Sequence, residues 1–296
     1  MAVNTDNFLH YLEREKRYSA HTILAYDTDL RQFAAYLSDQ YGIEELTGAT
    51  APMIRSWLAG AMQQGLSRTS INRKLSTLKS FFRYAVRHDS ALQNPMEKVG
   101  SVKKNKVLPV FVEEDGMNRL LDRSVFEPGF AGQRDRLMLE ILYTTGMRLS
   151  ELIGLQHYDF DTEKNTVKIT GKGAKQRIVP VIQEVNDHYA DYCLEKEKEF
   201  GSAASGPVFV TNKGGEIYPK FVYRLVNAYL SKVSSRSKRS PHVLRHTFAT
   251  HMLNHGADLN AIKEILGHAS LSATQVYTHN SIERIKNVYK QAHPKA

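Results

Sequence analysis

Arg148, the run His242-Val243-Leu244-Arg245, His268 and, nine residues further on, Tyr277 are the side chains of this sequence whose types and spacing could do chemistry. Two arginines can hold a phosphate through paired N–H donors, and a phenol with an unperturbed pKa of about 10 can attack phosphorus and later leave. The set contains no carboxylate. Read singly, its members are weak signals, because an HxxR pair is common at helix starts and a tyrosine is more often core than nucleophile. Here Ser240-Pro241 opens a helix, so His242 and Arg245 project from its first turn, an end that already attracts phosphate.

A zinc reading competes. His242 with His246, and His251 with His255, have the i, i+4 spacing of helix-borne ligands. A zinc hydrolase also needs a glutamate base, and two-metal phosphodiester enzymes need acidic ligands, while the sequence from Ile217 to Ala257 holds neither Asp nor Glu. No metal or other cofactor is expected. Lys172, in Thr170-Gly171-Lys172-Gly173-Ala174-Lys175, sits at a strand-turn-strand tip rather than in a P-loop, which requires GxxxxGK[ST] between strand and helix. A lysine at such a tip can reach into a DNA groove and donate a proton. Lys175 and Arg177 are rivals that spacing does not rank.

The elements that must position these groups are mainly helical. Apolar residues recur at helical period around Phe8 to Leu12, Ile23 to Leu37, Ile54 to Leu58 and Ile71 to Phe82, giving four helices with Ser19, Thr50 and Ser67 at N-cap positions and Gly42 and Gly65 near the stops. The fourth helix carries Arg68, Arg73, Lys74 and Lys79 among its polar positions, a face suited to phosphates or a major groove. Pro95 ends this region, and Lys98, Gly100, Ser101, Lys103, Lys104 and Lys106 read as a basic linker. The expected domains are residues 1–93, a linker at 94–106, and 107–296. In the last, helices are expected over 112–123, 133–143, 150–155, 184–200, 219–231, 241–254 and 259–266. Strands are expected at 166–170 and 177–181, with Val208-Phe209-Val210 as a further short one. The tail from Ser281 sets Ile282, Ile285, Val288 and Tyr289 on one helical face, which needs cover either from its own domain or from a neighbour.

The 296 residues carry a formal charge of +9, unevenly distributed. Two long stretches, 46–88 and 217–257, contain no acidic residue, and the second includes Arg239. Surfaces that only need solubility mix signs, so these stretches read as nucleic-acid faces. One cysteine, Cys193, excludes an internal disulfide. With no signal-like apolar core near the N-terminus and no run long enough to span a bilayer, a cytoplasmic protein without membrane insertion is expected.

In order along the chain stand Thr144-Thr145-Gly146-Met147-Arg148-Leu149-Ser150-Glu151-Leu152, Gly171-Lys172-Gly173, His242-Val243-Leu244-Arg245-His246-Thr247-Phe248-Ala249-Thr250-His251, Leu266-Gly267-His268 and Val276-Tyr277-Thr278-His279. With these motifs the chain closely resembles the tyrosine recombinases (phage-integrase-like), and among them the Xer type. The resemblance covers nearly the whole chain. It implies a core-binding four-helix N-terminal domain and a mostly helical catalytic domain with a small antiparallel β-sheet, together a C-shaped clamp on duplex DNA. It implies that Arg148 and Arg245 bind the nonbridging phosphate oxygens, His242 and His268 manage protons around them, Lys172 is the general acid, Tyr277 is the nucleophile, and Glu151 holds the cationic cluster in place. It further implies a covalent 3′-phosphotyrosine, a Holliday junction, and a homo- or hetero-tetramer with a paralogous recombinase at a specific site, in which the tail from Ser281 docks on a neighbouring protomer. Conversion of chromosome or plasmid dimers to monomers at cell division, with a septum-associated DNA translocase as a further partner, is the expected role. A mobile-element integrase, a type IB topoisomerase-like activity and a non-catalytic DNA-binding regulator are the alternatives.

Overall fold

The computed structural model describes residues 4–89, 91–103, 110–171, 174–201, 206–233, 239–267 and 279–295. The chain divides into two compact units, Met1–Val107 and Leu108–Ala296.

The first unit contains α1 (Thr5–Arg14), α2 (Ala20–Tyr41), α3 (Ala51–Gln63) and α4 (Arg68–His88). Ser19 and Ser67 accept from the backbone N–H groups of Thr22 and Ser70, satisfying donors that a helix start leaves open. Gly42 ends α2 in the left-handed conformation (φ 65°). The apolar faces meet in a core where Phe33 lies 4.9 Å from Trp57 and Phe8 meets Phe81 edge-on at 5.5 Å. The residues read as linker are tied to this unit at their start. Pro95–Lys98 forms a 3₁₀ turn, Met96 and Val99 are buried in the core, and Arg55 and Asn72 donate to the carbonyls of Lys98 and Val102.

Lys74 requires a correction. Expected on a DNA-facing surface, it is 3% exposed; its Nζ donates to Asp29 Oδ1 at 3.0 Å and Gln32 Oε1 at 2.5 Å and lies 4.7 Å from the Trp57 ring. Asp29, itself fully buried on α2, also accepts from Arg73 Nη1 at 2.5 Å and Thr77 Oγ1 at 3.0 Å. A buried carboxylate demands cations, and α4 supplies them inward from what the sequence presents as a polar face. Arg68 and Arg73 are exposed and Lys79 half-buried on α4.

The second unit comprises α5 (Glu114–Leu121), α6 (Phe130–Thr145), α7 (Leu149–Ile153), β1 (Phe160–Asp161), β2 (Thr166–Thr170), β3 (Gln176–Pro180), α8 (Gln183–Phe200), α9 (Pro219–Val233), α10 (Pro241–Asn254), α11 (Leu259–Leu266) and α12 (His279–Ala292). Helix α6 is apolar or small nearly all round from Leu137 and runs through the core against α8 and α10. The sheet is antiparallel in the order β1-β2-β3, with Val167 opposite Val179 and Ile169 opposite Arg177. The strand not expected from the sequence is β1, Phe160–Asp161, which pairs with β2. Val208-Phe209-Val210, expected as a strand, is core, and its residue Val210 makes only an isolated bridge to Glu216.

Ile285 and Tyr289 of α12 are buried in their own unit, with Val288 packed against the same core. Tyr289 stacks on His293 at 4.8 Å, and His293 in turn lies 5.3 Å from Tyr143 and 5.8 Å from Phe248. Within this chain α12 packs against α10, α11 and β3.

Candidate active site

Gly146 makes the first placement. Its left-handed conformation (φ 59°) stops α6, and a β-carbon there would stand 2.6 Å from both Leu266 Cδ2 and Phe248 Cδ1, so only glycine permits this reversal beneath α10 and α11. The turn buries Met147 and puts Arg148 at the N-cap of α7. One helical turn on, Glu151 reaches back: its Oε2 accepts from the Arg148 backbone N–H at 2.7 Å and its Oε1 from Arg148 Nη1 at 2.9 Å. Glu151 thus fixes both the main chain and the guanidinium of Arg148.

Arg245 comes from the first turn of α10. Its Nη1 donates to Gly146 O at 2.6 Å and its Nη2 to Leu266 O at 2.7 Å, while Arg148 Nη2 approaches Gly267 O at 3.4 Å. The two guanidinium groups therefore meet at adjacent carbonyls at the end of α11. Burial, then the charges of Arg148 and Arg177, pull the Arg245 pKa down to about 10, with Glu151 acting in the opposite sense. His242, also in the first turn of α10, is exposed.

Arg177 is the residue that sequence reasoning misjudged. Considered only as a rival proton donor near the hairpin tip, it is 4% exposed and faces inward from β3. Its Nη1 and Nη2 donate to Glu151 Oε1 and Oε2 at 2.9 and 2.8 Å, and its Nε donates to Ile265 O at 2.7 Å. Burial raises the pKa of Glu151, but the hydrogen bonds and charge of Arg177, followed by those of Arg148, outweigh it and hold the carboxyl below its ordinary value. A signal was available: in a strand of period two, Arg177 is in phase with the buried Val179 and Val181.

Gly171 and Gly267 give this cluster room. A β-carbon at Gly171 would lie 3.2 Å from Glu151 Oε1, and one at Gly267, in the left-handed region at φ 64°, 3.2 Å from Arg177 Cδ. Lys172, His268 and Tyr277 lie outside the described residues, although Gly171 and Gly267, the neighbours of the first two, are both in contact with the cluster. Lys175 is exposed beside the hairpin tip, and Arg239 is half-buried just before α10, with its carbonyl accepting from Asn227. Of the histidines weighed as zinc ligands, His251 is buried with Nδ1 2.9 Å from Tyr143 Oη, and His255 bonds through Nδ1 to the His251 carbonyl. Among the described residues no helix is long and apolar enough to cross a membrane.

The arrangement is a cationic seat built from two arginines, braced by a carboxylate and a third arginine. Residues 111–284 match the family model described as "Phage integrase family", and residues 5–89 match "Phage integrase, N-terminal SAM-like domain". The chain is 40% identical to the tyrosine recombinase XerC of Pelobacter propionicus and 37% identical to that of Bacillus subtilis, in both cases over 98% of this chain, covering 94% and 95% of those proteins. The fold matches that of the XerH site-specific recombinase bound to palindromic difH substrate, with a TM-score of 0.72 at 23% identity over 97% of this chain and 84% of that one. It also matches the Tn1549 transposon integrase in complex with transposon right end DNA, with a TM-score of 0.71 at 20% identity over 97% of this chain and 99% of that one. The chain belongs to the phage integrase family, as a tyrosine recombinase of the XerC type, an enzyme that breaks and rejoins DNA.

Proposed function

We propose that this recombinase acts on dif-like sites to convert chromosome dimers to monomers, and that Tyr277 is its nucleophile. The observation that carries the site assignment is the meeting of Arg148 and Arg245 at the carbonyls of Gly267 and Leu266, directly before His268. A scissile phosphate seated there receives paired N–H donors on its two nonbridging oxygens, and these strengthen as attack adds negative charge to phosphorus. The Tyr277 phenol attacks and the 5′ oxygen leaves, taking its proton from Lys172, while His242 and His268 hydrogen-bond the phosphate and relay protons. The phosphodiester becomes a 3′-phosphotyrosine. A 5′ hydroxyl from the partner strand then reverses the step, so bond energy is conserved and no ATP is consumed. Residues 1–93 serve as the core-binding domain and 107–296 as the catalytic domain, with exchange taking place in a tetramer that pairs this chain with itself or with a paralogue.

A nicked suicide substrate carrying a dif-like site tests this reading. Wild type accumulates a covalent protein–DNA complex, and Tyr277→Phe accumulates none. Equal trapping by Tyr277→Phe would remove the nucleophile assignment, and sequencing the attached DNA identifies the site. Uniform relaxation of any plasmid, without a preferred sequence, would replace the recombination role with a topoisomerase-like one.

A further inference from the structure

The inference concerns Arg177 and rests on the active-site reading above. Glu151 is 5% exposed, and its two oxygens accept four N–H donors: two from the Arg177 guanidinium, one from the Arg148 guanidinium and one from the Arg148 backbone. A carboxylate has about four lone-pair sites, so this one is saturated. The geometry is asymmetric. Arg177 holds Glu151 in a parallel, two-pronged pair, whereas Arg148 lends it a single side-chain N–H and keeps the rest of its fork for the seat.

We propose that Arg177 is a positioning residue for the DNA-cleavage step, which occupies the carboxylate of Glu151 so that Arg148 remains available to the scissile phosphate. The same side chain joins the site's separate pieces. It stands on β3 opposite Ile169, its Nε closes the last turn of α11 through Ile265 O, and its stem lies against Gly267. Lysine cannot replace it, because the three contacts point in three fixed directions and an ammonium on a flexible stem lacks the fork. The charge balance agrees. Arg148, Arg177 and Arg245 with one carboxylate carry two net positive charges. Attack on a phosphodiester creates a doubly charged phosphorane, and without Arg177 this cluster's own contribution would fall to a single positive charge.

Without Arg177, the buried Glu151 must draw compensation from Arg148, the remaining cation bonded to it, and a shift of about 1 Å in a transition-state contact costs on the order of 100-fold in rate. Covalent-complex formation by the full-length protein on a saturating nicked substrate is the readout, with DNA affinity measured in parallel. Arg177→Met is expected to cleave about 100-fold more slowly than wild type and Arg177→Lys about 10-fold more slowly, both with unchanged DNA affinity. Arg177→Met combined with Glu151→Gln is expected to cleave faster than Arg177→Met alone, because a neutral amide no longer captures Arg148. A role limited to holding the fold predicts the opposite order, with the double variant at or below the single one, and that order overturns the proposal. Wild-type rates in Arg177→Lys, a variant that keeps the buried charge, overturn it as well. Failure of wild type itself to form the covalent complex would instead refute the active-site reading on which the proposal rests.

Discussion

Replacing Lys74 with methionine separates the two roles open to a lysine on α4. The structure gives it a load-sharing place in the first unit, with Nζ 3.0 Å from the fully buried Asp29 Oδ1. At that distance and an effective dielectric of about 20, the gross attraction is about 5–6 kcal/mol, from which desolvation of both groups is subtracted. Removing one member of a buried pair costs about 3–5 kcal/mol, and the lower end applies because Arg73 and Thr77 still bond the carboxylate. Trp57 is the sole tryptophan and lies 4.7 Å from Lys74 Nζ, so its fluorescence follows unfolding of the first unit within the full-length protein. With an m-value of about 1.5 kcal/mol/M, a loss of about 3 kcal/mol lowers the urea midpoint by about 2 M. Adding Asp29→Asn should restore much of this, since a neutral pair leaves no charge uncompensated. DNA binding of the folded protein provides the opposing test. A lysine on a phosphate contributes about 0.9 to the slope of log affinity against log salt, so this slope should be unchanged in Lys74→Met. An unchanged urea midpoint together with a slope lower by about 0.9 would refute the buried-pair account and return Lys74 to the DNA face.

Other consequences can be measured as readily. Gly146→Ala combines left-handed strain with contacts at 2.6 Å to Leu266 and Phe248, and should cost about 2–4 kcal/mol in a thermal melt while disturbing the carbonyl that holds Arg245. His293, buried between Tyr143, Tyr289 and Phe248 with His251 and Lys295 nearby, has its pKa pushed down from 6.5 to about 3, chiefly by burial. The folded state therefore holds the neutral ring. Its contribution is complete above about pH 6.5 and is lost as pH falls from there towards 3, by about 1.4 kcal/mol at pH 5.5, and the hydrogen-exchange protection factors of α12, which correct for the slower intrinsic exchange at lower pH, should fall over this range in wild type but not in His293→Phe. Sulfate should raise the melting temperature of wild type more than that of Arg245→Met, since an anion in the seat restores the depressed pKa of Arg245; equal gains would mean that sulfate acts only through general exclusion.

Much of this architecture is legible in the sequence because local signals agree. Ser19 and Ser67 cap where the helical periods begin, Gly42 and Gly146 turn left-handed where they end, and the hairpin strands follow their alternation. The misjudged residues share one cause. Lys74 and Arg177 are charged, and a charged residue defaults to the surface when no partner is in view. Their partners, Asp29 and Glu151, lie 45 and 26 residues away in sequence, and only the folded chain brings them into contact. The strand period did place Arg177 in phase with Val179 and Val181, so periodicity was informative where residue type was misleading. The tail is a different case: an apolar helical face demands cover, but its sequence carries no information on whether that cover comes from its own unit or another.

The arginine cluster explains why an acid-poor sequence stretch can still depend on a carboxylate. Arg148 and Arg245 meet at neighbouring carbonyls, and two guanidinium groups brought together without compensation repel each other and shed part of the geometry that makes them useful. Glu151 removes that difficulty but creates another, because a buried carboxylate competes with the substrate phosphate for the same N–H groups. Arg177 resolves the competition by binding Glu151 with both prongs, away from the seat. The depressed pKa of Arg245 shows that repulsion and burial still weigh on the cluster before any anion arrives. An incoming phosphate relieves this, and a phosphorane carrying a second negative charge relieves it further, so the residual repulsion favours the transition state over the ground state.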